Sequence, residues 1–104
     1  MPTVYTTGSW RPFEGQVQPF LDRWTEFAAW SSGFPGAGQA VLARDVRDEA
    51  RFVSFIGWDT MDAMRDWKAS PEFKERMGAV QQHIDKFAPT EIDVVAECEG
   101  GKPL

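Results

Sequence analysis

The chain has one cysteine and one histidine among 104 residues. A lone cysteine, Cys98, excludes an intrachain disulfide. With His83 as the sole imidazole, too few nitrogen and sulfur ligands remain for a structural zinc site of the usual kind. Carboxylate sites for Mg²⁺ need acidic residues at a ligating spacing, and no such cluster is seen, so no metal is expected. Basic residues are also scarce. The 11 Lys and Arg stand against 16 Asp and Glu, for a net charge of −5. That balance disfavours a surface that tracks nucleic-acid phosphates, and equally a basic helix lying on a membrane. No apolar run approaches the roughly 20 residues that span a bilayer. The opening MPTVYTTGSW lacks the apolar core of a signal peptide, so a cytoplasmic protein is expected.

What the chain has in excess is aromatic mass: five Trp and eight Phe. Its length fits one domain, and a domain this small is marginal by its surface-to-volume ratio. The rings exceed what such a core requires. Part of them is expected to line a ligand cavity or a subunit interface.

Residues 3–10 are rich in Thr, Val and Tyr and predict a first strand, followed by a turn over Arg11–Gly15. A helix is predicted from Gln16 to Ser32, with Val17, Phe20, Leu21, Trp24, Phe27 and Ala28 on one face and Pro19 tolerated in its first turn. Gly33 to Gly38 reads as a loop. Residues 39–45 and 51–58 read as two strands joined by a hairpin loop at 46–50. Asp59 or Thr60 caps a short helix carrying Met64 and Trp67. Ser70-Pro71-Glu72 opens another helix, with Ser as N-cap and Pro at its first position. The stripe Phe73, Met77, Val80, Ile84 and Phe87 predicts that this helix runs on until Pro89, with a fourth strand over Thr90–Glu97. Residues 98–104 are expected to be a mobile tail, leaving 1–97 as the domain.

A β-α-β unit thus occurs twice, which predicts an α+β fold of the ferredoxin-like βαββαβ kind with an antiparallel sheet. The segment RFVSFIGW over residues 51–58 is apolar on both faces: Phe52, Ile56 and Trp58 on one, Val53 and Phe55 on the other. A sheet with one wet face alternates more cleanly, so a partner subunit is expected to cover the second face. The same element order suits an RNA-recognition domain. Arg51-Phe52-Val53-Ser54-Phe55, however, lacks the glycine that follows the basic residue in its aromatic motif, strand one offers no partner motif, and the acidic balance is wrong.

Several local marks occur in a fixed order. They are Gly15 with Phe20, Pro35-Gly36, the hairpin from Arg44-Asp45 to Arg51-Phe52, Trp58-Asp59-Thr60, and Trp67-Lys68-Ala69-Ser70-Pro71-Glu72-Phe73. With them the chain resembles the antibiotic-biosynthesis-monooxygenase-like (ABM) family over residues 4–96. The resemblance implies a homodimer whose sheets pack into a dimeric α+β barrel, with a pocket in each subunit between sheet and helices. That family includes cofactor-free monooxygenases of phenolic polycycles or quinols, haem-degrading enzymes and members without known activity, so family alone does not fix function.

Trp67 stands at the family position that faces the ligand. Its rings can pack while its indole N–H is aimed at a substrate oxygen; the plainer alternative is a core tryptophan. His83, the sole imidazole, is a candidate base, yet it falls on the edge of the last helix's apolar stripe, where a histidine is more often structural. Arg76 shares that edge. It is a candidate partner for a phenolate, or forms an ion pair with Glu72 one turn earlier. Tyr5 is a polar candidate on strand one. Trp24, Phe27, Met64, Phe73 and Met77 are expected to give the pocket a soft apolar lining, the alternative being plain core. The haem-degrading relatives place a histidine four residues after the counterpart of Phe73; here that residue is Met77, which argues against haem. Together these residues lead to an expected cofactor-independent monooxygenase of an electron-rich aromatic (phenol, anthrone or quinol). The alternative is a non-catalytic dimeric module that binds a small aromatic ligand.

Overall fold

The structure, a computed structural model, describes residues 2–104. Strand β1 (Val4–Pro12) leads into helix α1 (Val17–Ser32). Strands β2 (Ala37–Asp45) and β3 (Asp48–Trp58) form a hairpin. Helices α2 (Met61–Ala69) and α3 (Pro71–Gln81) follow, and β4 (Ile84–Asp93) completes the sheet. The strand order is β2-β3-β1-β4, antiparallel throughout. This is the α+β, ferredoxin-like arrangement that the sequence predicts, with its second helical segment broken in two at Ser70-Pro71.

Each helix forms for a local reason. In α1, Phe20, Trp24, Phe27, Ala28 and Ser31 are buried, spaced so that one stripe faces the sheet. In α2 the Thr60 hydroxyl accepts the backbone N–H of Ala63 at 3.0 Å, an N-cap bond. Ser70 holds the N-cap position of α3 with Pro71 behind it, but its side chain makes no capping bond, and its Oγ is buried without a partner. The preset φ of Pro71 is what starts α3.

The helices cover one face of the sheet. Val4, Gly8 and Trp10 on β1 and Phe52, Ser54, Ile56 and Trp58 on β3 are buried there. Phe20 and Trp58 are fully enclosed, each such side chain stabilising the fold by about 1.5–3 kcal/mol. The opposite face carries Tyr5, Val41, Val53, Phe55 and Ile92, which neighbour one another by strand register. Phe55 is 37% and Ile92 47% exposed. The two-faced apolar pattern of β3 is therefore real: Phe52, Ile56 and Trp58 are core, and Val53 and Phe55 form an outer face.

The C-terminal third departs from the sequence reading. Helix α3 ends at Gln81, and the strand expected over Thr90–Glu97 runs instead over Ile84–Asp93. Ile84 and Phe87 continue the helical spacing by coincidence, but they lie on β4. Pro89, expected to stop a helix, sits inside that strand opposite Gly8. An edge strand tolerates a residue that cannot donate to a second neighbour. Beyond β4, Cys98–Glu99 and Lys102–Pro103 pair as a small hairpin.

Candidate functional site

A cavity of about 240 Å³ lies between the helix-facing side of the sheet and the three helices. Its aromatic wall comes from Trp10 on β1, Trp24 and Phe27 on α1, Trp67 on α2, Phe73 on α3 and Phe87 on β4. The rings brace one another. Trp10 stacks on Phe87 with centroids 4.1 Å apart, and Phe73 meets Trp67 edge-on at 4.7 Å. Trp58 supports Trp67 from behind at 4.8 Å. Such pairs fix ring orientation beyond what area burial alone supplies.

The polar atoms of the floor are fewer, and their roles are set by indoles. Trp10 Nε1 donates to Ser54 Oγ at 2.8 Å, a buried bond between β1 and β3. Trp58 Nε1 donates to Thr6 Oγ1 at 3.2 Å. Ser54 and Thr6 both border the cavity. A hydroxyl that accepts from an indole keeps its own proton to donate, so both are suited to donate to a ligand oxygen. Gly8 lies between them and makes room. A Cβ there would stand 2.8 Å from Trp10 Nε1, 2.9 Å from Phe87 Cε1 and 3.0 Å from Ser54 Oγ. Lys68, next to Trp67, also borders the cavity; its Nζ lies 3.1 Å from Glu91 Oε1.

The structure brings together Trp67, Trp24, Phe27, Phe73 and Met77 from the expected site and leaves the other candidates elsewhere. The indole N–H of Trp67 is not directed at a ligand. It donates to Ser31 Oγ at 3.0 Å in a buried bond, so Trp67 presents ring surface to the cavity. Tyr5 belongs to the outer sheet face, because it is in register with Gly57 and Ile92 while the cavity residues alternate with it. Met64 is only 2% exposed and is plain core. His83 is not on the last helix but in the turn after it, where Nδ1 hydrogen-bonds Gln16 Oε1 at 3.0 Å. Arg76 lies over the Trp30 ring at 5.2 Å. Glu72, its expected ionic partner, instead accepts the Trp30 indole N–H at 3.0 Å.

Trp10, Ser54, Thr6, Phe87 and Lys68 are absent from the sequence-based site. One signal for them was present: Thr6-Gly8-Trp10 and Phe52-Ser54-Ile56 alternate on strands, and small polar residues amid a buried face mark either a hydrogen bond or a cavity. Phe87 was hidden by its assignment to a helix. Among the described residues no group of His, Cys, Asp and Glu is placed to hold a metal ion, and no helix is long and apolar enough to cross a membrane. Two carboxylates in the β2–β3 hairpin region, away from the cavity, are held off their ordinary range by hydrogen bonds. There the hydrogen bond from Arg11 holds Asp48 below the usual carboxylate range, and the Arg47 backbone N–H does the same for Asp45.

Comparison with known proteins agrees with this architecture. SnoaB, a cofactor-independent oxygenase from Streptomyces nogalater, superposes with a TM-score of 0.81 at 19% identity, over 91% of this chain and 95% of that one. A Deinococcus radiodurans protein provisionally assigned as an antibiotic biosynthesis monooxygenase gives 0.82 at 14% identity, over 92% and 96%. A conserved protein from Methanosarcina mazei gives 0.81 at 13% identity, over 89% and 93%. At these identities the likeness is one of fold. No curated protein sequence matches the chain. The profile of the antibiotic biosynthesis monooxygenase family matches residues 3–79, and the chain belongs to that family.

Proposed function

We propose that the protein is a cofactor-independent monooxygenase of an electron-rich aromatic of the phenol, anthrone or quinol type. The observation that carries this reading is the ring-walled cavity floored by Ser54 and Thr6. A deprotonated substrate of this type reduces O₂ itself. One oxygen atom ends on the ring carbon and the other leaves as water, and the four electrons come from the substrate: from two C–H bonds of an anthrone, or from one C–H and one O–H bond of a phenol or quinol. The protein's tasks are then to hold the flat anion, exclude bulk water and fix the reacting carbon. Trp67, Phe73 and Trp10 supply ring surface for a planar substrate. Ser54 and Thr6 are placed to donate to its oxygen, a stabilisation that grows as charge gathers there. SnoaB, whose described activity is of this cofactor-independent kind, supports the reaction class and leaves the substrate open.

The working unit in this proposal is a homodimer. Val53, Phe55 and Ile92 give the outer sheet face an apolar surface that a second copy would bury, closing the two sheets into a barrel.

A second reading is favoured by one observation: among the described residues no carboxylate or imidazole borders the cavity, so no obvious general base stands by. On that ground the same pocket would serve a non-catalytic binding module. Anaerobic mixing with dithranol, an anthrone, isolates binding as quenching of tryptophan fluorescence. Admitting oxygen then isolates turnover. Protein-dependent oxygen uptake supports the monooxygenase; quenching without uptake supports the binding module.

A further inference from the structure

We infer that Lys68 makes this cavity selective for anionic aromatics, its ammonium anchoring a carboxylate or phenolate oxygen carried by the ring. The inference rests on the reading of the cavity as an aromatic-binding site and adds the charge class of what it takes. Among the described residues that border the cavity, Lys68 is the single one with a charged side chain; the remainder are rings, aliphatic groups, hydroxyls and one amide, Gln81. In a chain with net charge −5, the one charged residue that lines the cavity is basic.

Its position suits an anchor at the edge of the sheet. Lys68 lies in the last turn of α2, directly after Trp67. Glu91, its partner at 3.1 Å, is paired in register with Thr6, so it rises from the cavity side of edge strand β4. The pair therefore links helix α2 to edge strand β4. With the side chains 37% and 45% exposed, it contributes little to stability, but it holds the ammonium in place. A ring that fills the cavity displaces water from the inner side of this ammonium. The lower local dielectric strengthens its attraction to an anionic substituent. A neutral ring causes the same desolvation with no compensating charge. Glu91 competes with the ligand for Lys68, and removing its charge should favour the anion.

The test uses 2-naphthoate and its neutral counterpart 2-naphthamide, titrated calorimetrically into the full chain. The wild type should prefer naphthoate by about tenfold, the scale of one charge-assisted hydrogen bond. Lys68→Met should abolish that preference while naphthamide binds at least as well as before, which also shows that the variant is folded. Glu91→Gln should tighten naphthoate several-fold and leave naphthamide unchanged. A naphthoate preference that survives Lys68→Met would overturn the inference. Equal affinity of the wild type for both ligands removes the anchor and keeps the aromatic cavity; no binding of either ligand removes the cavity reading and the anchor with it.

Discussion

Trp10 on β1 reaches diagonally to Ser54 on β3, the indole N–H donating to the hydroxyl at 2.8 Å, and both border the cavity. The bond does two things at once. It satisfies a buried donor, and it fixes Ser54 as an acceptor toward the protein and a donor toward the cavity. Ser54→Ala should leave the Trp10 N–H unpaired and cost about 1–3 kcal/mol of stability, read from the urea midpoint. It should also weaken binding of an oxygen-bearing aromatic, with little effect on naphthalene. Equal weakening of both ligands would contradict the assigned role.

Gly8 gives a separate handle on the same floor. Gly8→Ala would press a methyl to within 2.9 Å of Phe87 Cε1 and 2.8 Å of Trp10 Nε1. Overpacking of this kind costs about 1–3 kcal/mol. Ligand affinity should fall with stability, because the methyl occupies cavity space; a variant as stable as the wild type would show that the floor is looser than described.

Trp67 is predicted to matter for a different reason than its sequence position implies. Because its N–H is engaged by Ser31, Trp67→Phe removes a buried bond and some volume, for a loss of about 1–3 kcal/mol in stability. A phenyl ring still walls the cavity, so ligand affinity should fall less than stability does. Unfolding midpoint and affinity measured on this one variant settle the order, and an affinity loss exceeding the stability loss would restore the N–H to the ligand.

The outer sheet face predicts self-association. Light scattering of the wild type at micromolar concentration should give the dimer mass, and Phe55→Asp should give monomer or aggregate. Phe52, equally apolar in the sequence, is core at 2% exposure, and Asp there should prevent folding altogether. A wild-type monomer would falsify the dimer.

Haem is predicted not to bind tightly, since Met77 stands among the cavity residues where the haem-degrading relatives keep a histidine. A sharp Soret band saturating at one haem per chain would contradict this. Met77→His is the informative gain-of-function variant.

The sequence was legible where period and punctuation agreed. The α1 stripe, the Ser70-Pro71 break and the two faces of β3 all follow from side-chain spacing. It misled where a helical spacing ran on by chance through Ile84 and Phe87, with no glycine in the Gln82-His83 turn to mark the change. β4 is largely exposed, so no alternation revealed it either. The helical wall was legible in Trp24, Phe27, Trp67, Phe73 and Met77, all residues at helical spacing. The floor was not, because whether Ser54 or Tyr5 faces the cavity depends on a strand register that only pairing fixes. His83 and Arg76 attracted attention for their chemistry alone, and local partners hold both elsewhere: Gln16 and the Trp30 ring.

Oxygenation in this cavity is read from the product by isotopic labelling. Dithranol is incubated with the protein under ¹⁸O₂ in ordinary water, with a protein-free control, and the product is analysed by mass spectrometry. A monooxygenase gives protein-dependent product carrying one ¹⁸O atom from O₂, with the rate reduced in Ser54→Ala. Product formed no faster than in the protein-free control would contradict it.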